Sequence, residues 1–319
     1  MTETTTDNAG YRGEVETAFS VRRPSWGGGA VLEESPKTAK EALGKAGLDW
    51  EVCKVPLSRV RLLDAGFKQI PDRFSVVRMS DDADLGVVGA KYEPFQNWEA
   101  FDFLDGLAQS GEIEYETAGS LYGGRRVWVM CRVPETITIS GGDTLQPFMF
   151  VSASHDGSSA VTAATTATRI ECANTFSIAV NGAKNKYTFR HTTAGSLKLQ
   201  EARETLKLQV SWDEALKIEV DKLVTAEVTD ETFARILTAN FPDMKLQTPK
   251  SVVAVVENRK DSLTIQDEYR PTAWGALNAL SEWSEHLRPY RDDDARQKAV
   301  LVGWQQKMVS NVYRDLVSL

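Results

Sequence analysis

The chain of 319 residues can bury a substantial core as one large domain or two smaller ones, and its 42% hydrophobic and 26% charged shares are those of an ordinary soluble globular protein. A net charge of −8, from 37 basic and 45 acidic residues, excludes a protein that is basic all over but not a local basic stripe. Cys53, Cys131 and Cys172 are odd in number and far apart, which supports neither a disulfide framework nor a cysteine metal site. No signal-peptide pattern and no run of about 18 apolar residues occurs, so a cytoplasmic location without a membrane partner is expected.

In chain order, residues 1–20 are a polar tail expected to be disordered. Residues 21–30, VRRPSWGGGA, read as a loop, because the Gly27 to Gly29 triplet lacks the lysine and the strand-to-helix setting of a phosphate-binding loop. Residues 38–46 form a short amphipathic helix ended by Gly47, and residues 50–60 and 74–79 read as strands. Residues 85–92 alternate like a strand, Pro94 interrupts, and Asn97 N-caps a helix with Phe101, Leu104 and Leu107 on one face. Glu99, Asp102 and Asp105 recur along it at helical spacing. They read as a solvated acidic face near the helix start, with a metal site as the alternative.

The stretch 119–181 reads as strand, strand, strand, helix. Val127, Val129 and Cys131 alternate with Trp128, Met130 and Arg132, the period of two that sends successive side chains to opposite faces of a sheet. Gly123-Gly124 and Gly141-Gly142 mark turns, and residues 145–153 and 159–170 are the next two strands of an antiparallel meander. The last of these is built almost wholly from Ala, Thr and Val, small residues that allow another backbone or a ligand to come close. A helix over residues 170–180 completes a β-β-β-α unit, and residues 184–191, KNKYTFRH, follow as a basic strand or arm.

From Leu197 the apolar residues recur every three to four positions, so the chain reads as helical to its end. Asp230 caps a helix that stops before Pro242, Thr248-Pro249 starts another to about Lys260, and residues 272–286 and 292–317 complete the set. The fold class is therefore α+β: an antiparallel sheet core over residues 21–195, followed by a helical region over 196–319.

Catalytic patterns are sparse. His155-Asp156-Gly157 beside Ser154 and Ser158 invites a triad, but adjacent residues cannot set nucleophile, base and orienter in line, and Asp-Gly reads as a turn. No HExxH, CxxC or dinucleotide fingerprint is present, so no enzyme activity, metal or other cofactor is expected. Residues 119–191 carry seven basic and four acidic side chains, net +3 on a chain that is net −8. That inversion reads either as a polyanion site or as surface charges near unrelated turns.

The segments LGVVGAKYEPFQN, AGSLYGGRRVWV, SHDGSSAV, RIECANT, FRHT and TAWGALNALSEWSEH, in this order, resemble the phage/plasmid-like proteins of the domain-of-unknown-function 932 family, from about Val21 to Tyr290. The resemblance implies a phage or plasmid setting in a host cell and no particular biochemistry. In pattern alone, the strand-helix and β-β-β-α units are similar to the core of the ring-forming single-strand annealing proteins of phages and recombination. There, basic residues along a groove hold the backbone of single-stranded DNA.

The expectation is a non-catalytic protein that binds single-stranded DNA on a basic sheet surface, as in annealing during DNA recombination, and forms homo-oligomers. Arg125, Arg126, Arg132 and Arg169 supply one set of contacts, and Lys184, Lys186 and Arg190 the opposite wall. Tyr187, with Phe189, offers stacking, or else packs into the sheet. The competing expectation is a phage or plasmid component that binds another protein.

Overall fold

A computed structural model of the chain describes residues 19–21, 30–169, 175–176, 186–189, 213–241, 248–291, 295–296, 299 and 304–319. The first elements are β1 (Phe19–Val21), β2 (Ala30–Leu32) and α1 (Ala39–Lys45). The α1 helix starts where Thr38 Oγ1 accepts from Glu41 N at 3.2 Å and ends at Gly47, whose φ of 63° suits a residue without a Cβ. A small antiparallel sheet follows, in the order β3 (Val52–Val60), β4 (Phe67–Arg78), β5 (Ala83–Gly89). The expected strand 74–79 is thus the end of a 12-residue strand that pairs with β3 along most of its length.

Helices α2 (Asn97–Phe101) and α3 (Leu104–Gln109) bury Phe101, Leu104 and Leu107, as the pattern predicts. The cap is one residue earlier than expected. Gln96 is the N-cap, Glu99 accepts from its backbone N at 2.8 Å, and Asn97 is turned inward at 2% exposure.

The main sheet comprises β6 (Glu114–Leu121), β7 (Arg126–Arg132), β8 (Ile137–Thr138), β9 (Thr144–Ser154), β10 (Val161–Arg169), β11 (Thr175–Phe176) and β12 (Lys186–Phe189), together with β1 and β2. Its path is β11-β10-β9-β7-β6-β1-β2, with β12 also on β10 and β8 on β9. The meander β6-β7-β9-β10 is antiparallel throughout. Val127, Val129 and Cys131 join Met149, Val151 and Ala153 in one cluster with the residues of α1 to α3, while Trp128 and Met130 join Leu121 and Phe148 in another. The expected helix 170–180 fails at Thr175–Phe176, which pairs as a strand with Ala167 and Thr168; its other residues lie outside the described ones. The open side of β10 is filled by β11 and β12, and backbone pairing overrides local helix propensity there.

The C-terminal region contributes α4 (helical over 213–225), α5 (Asp230–Asn240), α6 (Thr248–Asp261), α7 (Ala273–Glu282), which runs into a π-helical turn Trp283–Leu287, and α8 (Trp304–Val317). Thr229, not Asp230, caps α5, its hydroxyl accepting from Thr232 N at 3.2 Å; Asp230 instead binds Arg259 and Lys260 of α6. All ten residues of α7 are buried. These helices share one hydrophobic cluster with Ile137, Leu145 and Ala167 of the sheet and with Ile139 just after β8. Tyr269 pins the junction by donating to Ser140 O at 2.8 Å, beside Gly141 at a φ of 88°. Among the described residues no helix is long and apolar enough to cross a membrane.

Candidate nucleic-acid interface

Three of the segments singled out by sequence meet where the small sheet abuts the main one. His155 is fully buried, its Nε2 2.7 Å from Asn97 Oδ1, with its ring 5.3 Å from Trp50 and 5.5 Å from Phe95 between centroids. Asn97 Nδ2 donates onward to Leu48 O at 2.8 Å, and Tyr92 donates to Ser154 O at 3.1 Å. Strand β5 passes so close that a Cβ on Gly86 would lie 2.6 Å from Asp156 Cα, and Gly157, at a φ of 73°, faces Val88 and Tyr92. The 155–157 turn is therefore a joint. Its histidine is sealed beneath aromatic rings, and Asp-Gly supplies the left-handed backbone that the sequence predicts.

The joint carries the turn between β6 and β7. His155 N donates to Arg125 O at 2.8 Å, and Arg126 stands opposite Ser154 on one side and Leu121 on the other. Tyr122, Gly123 and Gly124 all have positive φ, at 60°, 67° and 89°. A left-handed conformation is uncommon for a bulky residue and signals a backbone held by its surroundings, yet Tyr122 keeps 40% of its surface open. Burial pushes the nearby Asp156 carboxyl up, but hydrogen bonds from Ser158 and Ser154 and the charge of Arg126 outweigh it and hold the carboxyl below its ordinary range.

The eight residues expected to bind DNA do not form one cluster. Arg125 and Arg126 are at the Ser154 end of β9, whereas Arg132 pairs with Phe148 and Arg169 with Leu145 near its other end. Ser154 is nine positions along the strand from Leu145, about 30 Å. Between Arg126 and Arg132 the same face holds Trp128 and Met130, both buried, with the Trp128 ring stacked on Phe150 at 6.0 Å. The face joining the two arginines is therefore core and not an open basic surface. Arg132 is ion-paired with Glu114 and lies 4.0 Å from Glu116, so carboxylates already match its charge. Lys186 and Tyr187 are opposite Ala164 and Ala163 in the register of β12 on β10. Lys184 and Arg190 lie outside the described residues.

The acidic trio is also dispersed. Asp105 Oδ1 accepts from Ala39 N at 2.6 Å and from Tyr115 Oη at 2.7 Å, so it ties α1 to β6 and is no solvated acid. No group of three or more potential metal ligands occurs among the described residues.

A family model described as Domain of unknown function (DUF932) matches residues 84–301, well over half of the chain. The chain belongs to the DUF932 family. The DUF932 match opens at the start of β5 and takes in the joint, the β6–β7 turn and α5 to α7, whereas β3 and β4 precede it. No curated protein and no solved structure matches the chain.

Two features escape a reading of the sequence. The Asn97–His155 contact joins residues 58 positions apart, and no local pattern marks it. Tyr122 had a signal, since an aromatic directly before Gly-Gly and Arg-Arg is unusual turn chemistry.

Proposed function

We propose that this DUF932 protein binds single-stranded DNA through the β6–β7 turn, with Arg125 and Arg126 taking phosphates and Tyr122 offering its ring to a base. The observation that carries the reading is the turn itself: an exposed tyrosine held in a left-handed backbone, three residues before paired arginines, on a joint fixed by a buried histidine. Phosphate contacts need cations at an accessible edge, and base stacking needs an open aromatic face. The sealed position of His155 makes it a support of the turn and leaves it out of the proposed contacts. In a phage or plasmid setting, such a protein would work in the host cytoplasm during recombination by strand annealing.

The test is fluorescence anisotropy of a labelled deoxythymidine oligonucleotide with wild type and Arg125→Ala/Arg126→Ala. The double variant should bind more weakly and lose about 1.4 from the salt slope, about 0.7 for each single-strand phosphate contact. Tyr122→Ala should weaken binding by about 1–3 kcal/mol if the ring stacks on a base. A folded double variant with unchanged affinity would remove the turn from the site. The second reading, docking on a protein, is favoured by one separate feature, the distal half of the β3–β4 ribbon.

A further inference from the structure

Beyond Pro56 on one strand and before Phe74 on the other, the β3–β4 ribbon has no buried residue. Strand β5 pairs with β4 only from Arg73 onward, so among the described residues the distal ribbon is two-stranded, with both edges unpaired and both faces open. Its turn presents Leu62 and Leu63 at 96% and 97% exposure, with Phe67 at 79% and Val60 beside them. An isolated two-stranded ribbon is marginal in water, and a contiguous exposed apolar tip marks an interaction site. The root, by contrast, is fixed. Gln96 brackets Val52 with bonds to its N and O at 2.9 and 3.0 Å, Lys54 reaches Tyr92 O at 2.7 Å, and Arg78 stacks over Trp50. A rigid root and an uncovered end describe an arm.

The arm's charges say what covers it. Arg59 and Lys68 are direct cross-strand partners, a like-charge pairing that destabilises a free ribbon and calls for an anionic neighbour. Residues 52–78 hold six basic and two acidic side chains, net +4, which leaves −12 on the rest of a chain whose total is −8. A polyphosphate would satisfy the arginines but not two fully exposed leucines at the tip, where Asp64 also sits, ion-paired to Arg61 at 3.1 Å. An acidic protein surface with an apolar floor satisfies both. The chain carries one: a cleft of about 550 Å³ between the segment after β2 and the end of α3, lined by the carboxylates Glu33, Glu34 and Glu114 against the single cation Lys37, with Pro36 and Ile113 among its apolar residues.

We infer that the β3–β4 ribbon is an arm that docks on a second copy of this chain, its Leu62-Leu63-Phe67 tip entering that copy's Glu33-Glu34 cleft while Arg59 and Lys68 face the acidic rim. The contact joins unlike surfaces, so it propagates from copy to copy into a ring or filament unless two copies exchange arms. It stands apart from the DNA-binding reading and uses none of the same side chains.

Sedimentation velocity on the full chain over a dilution series tests it. Wild type should sediment as a concentration-dependent multiple of 35.3 kDa. Leu62→Ser/Leu63→Ser/Phe67→Ser should sediment as the monomer with unchanged circular dichroism, since none of these side chains is buried. Arg59→Glu/Lys68→Glu and Glu33→Lys/Glu34→Lys should each lose association alone, and mixing the two variants should restore it. A monomeric wild type at every concentration, or an assembly that all three variants leave intact, would overturn the inference. So would a tip variant that stays assembled but loses oligonucleotide binding, because the arm would then belong to the nucleic-acid site.

Discussion

Replacing Gly86 with Ala probes the joint at its closest approach. An ideal Cβ there would lie 2.6 Å from both Cα and Cβ of Asp156, whereas at Gly89, three residues along the same strand, nothing lies within 4 Å. The obstructing atoms include backbone, so no rotamer change relieves the clash, and such overpacking costs about 1–3 kcal/mol. Neither glycine has positive φ, so the new side chain brings no conformational strain at either position. Restricting the unfolded chain returns about 0.4–1 kcal/mol in both variants. Gly86→Ala should therefore lose a net ~0.5–2 kcal/mol, while Gly89→Ala should be neutral or slightly stabilised. Urea unfolding followed by tryptophan fluorescence reads the difference, with Trp50, whose ring packs at a tilt against His155, as one reporter. At an m-value of about 2–3 kcal/mol per molar, the shared unfolded-chain term cancels between the two variants and the Gly86→Ala midpoint should fall by roughly 0.3–1.5 M relative to Gly89→Ala. Coincident midpoints would refute the close approach of β5 to the 155–157 turn.

Asn97→Ala removes the partner 2.7 Å from His155 Nε2 and should destabilise by about 1–3 kcal/mol; wild-type stability in urea would mean that this bond does not form. Tyr92 has its phenol pushed up from 10.0 to about 12, first by burial and then by the Asp156 charge. The folded value lies above the unfolded one, so its contribution to stability is complete below about pH 10 and is lost as pH rises toward 12. Tyr92→Phe should remove that part of the alkaline decline, and a Tyr92 phenol that titrates at its ordinary value would contradict the burial. Gly141→Ala would drive its Cβ into Tyr269 Oη and sits at a φ of 88°, so it should lower the melting temperature further than Tyr269→Phe, which loses the hydrogen bond to Ser140 O, about 1 kcal/mol. Equal melting temperatures would show that the turn shifts freely.

Strand positions were legible where side chains alternate and glycines mark the turns, as in the run from Val127 to Cys131 before Gly141-Gly142. Caps came out one residue off at Gln96 and Thr229 because two polar residues adjoin at each helix start, and only backbone geometry chooses between them. Thr175–Phe176 went to a strand because Thr168 and Ala167 of β10, seven and nine positions before their partners, offer backbone pairing that side-chain periodicity does not register. The candidate site suffered from the same blindness to distance. A positive charge count over residues 119–191 cannot tell that Arg126 and Arg169 stand at opposite ends of a long strand, or that Glu114 and Glu116 lie beside Arg132. Asp105 looked like surface acid because its partners, Ala39 N and Tyr115 Oη, belong to other elements.

The most direct measurement is the affinity for a single-stranded oligonucleotide across a range of salt concentrations. Contacts from Arg125 and Arg126 require log K to fall linearly with log salt, with a slope of at least about −1.4 for two phosphates. No binding at low salt, or an affinity that ignores salt, would contradict phosphate recognition by the turn.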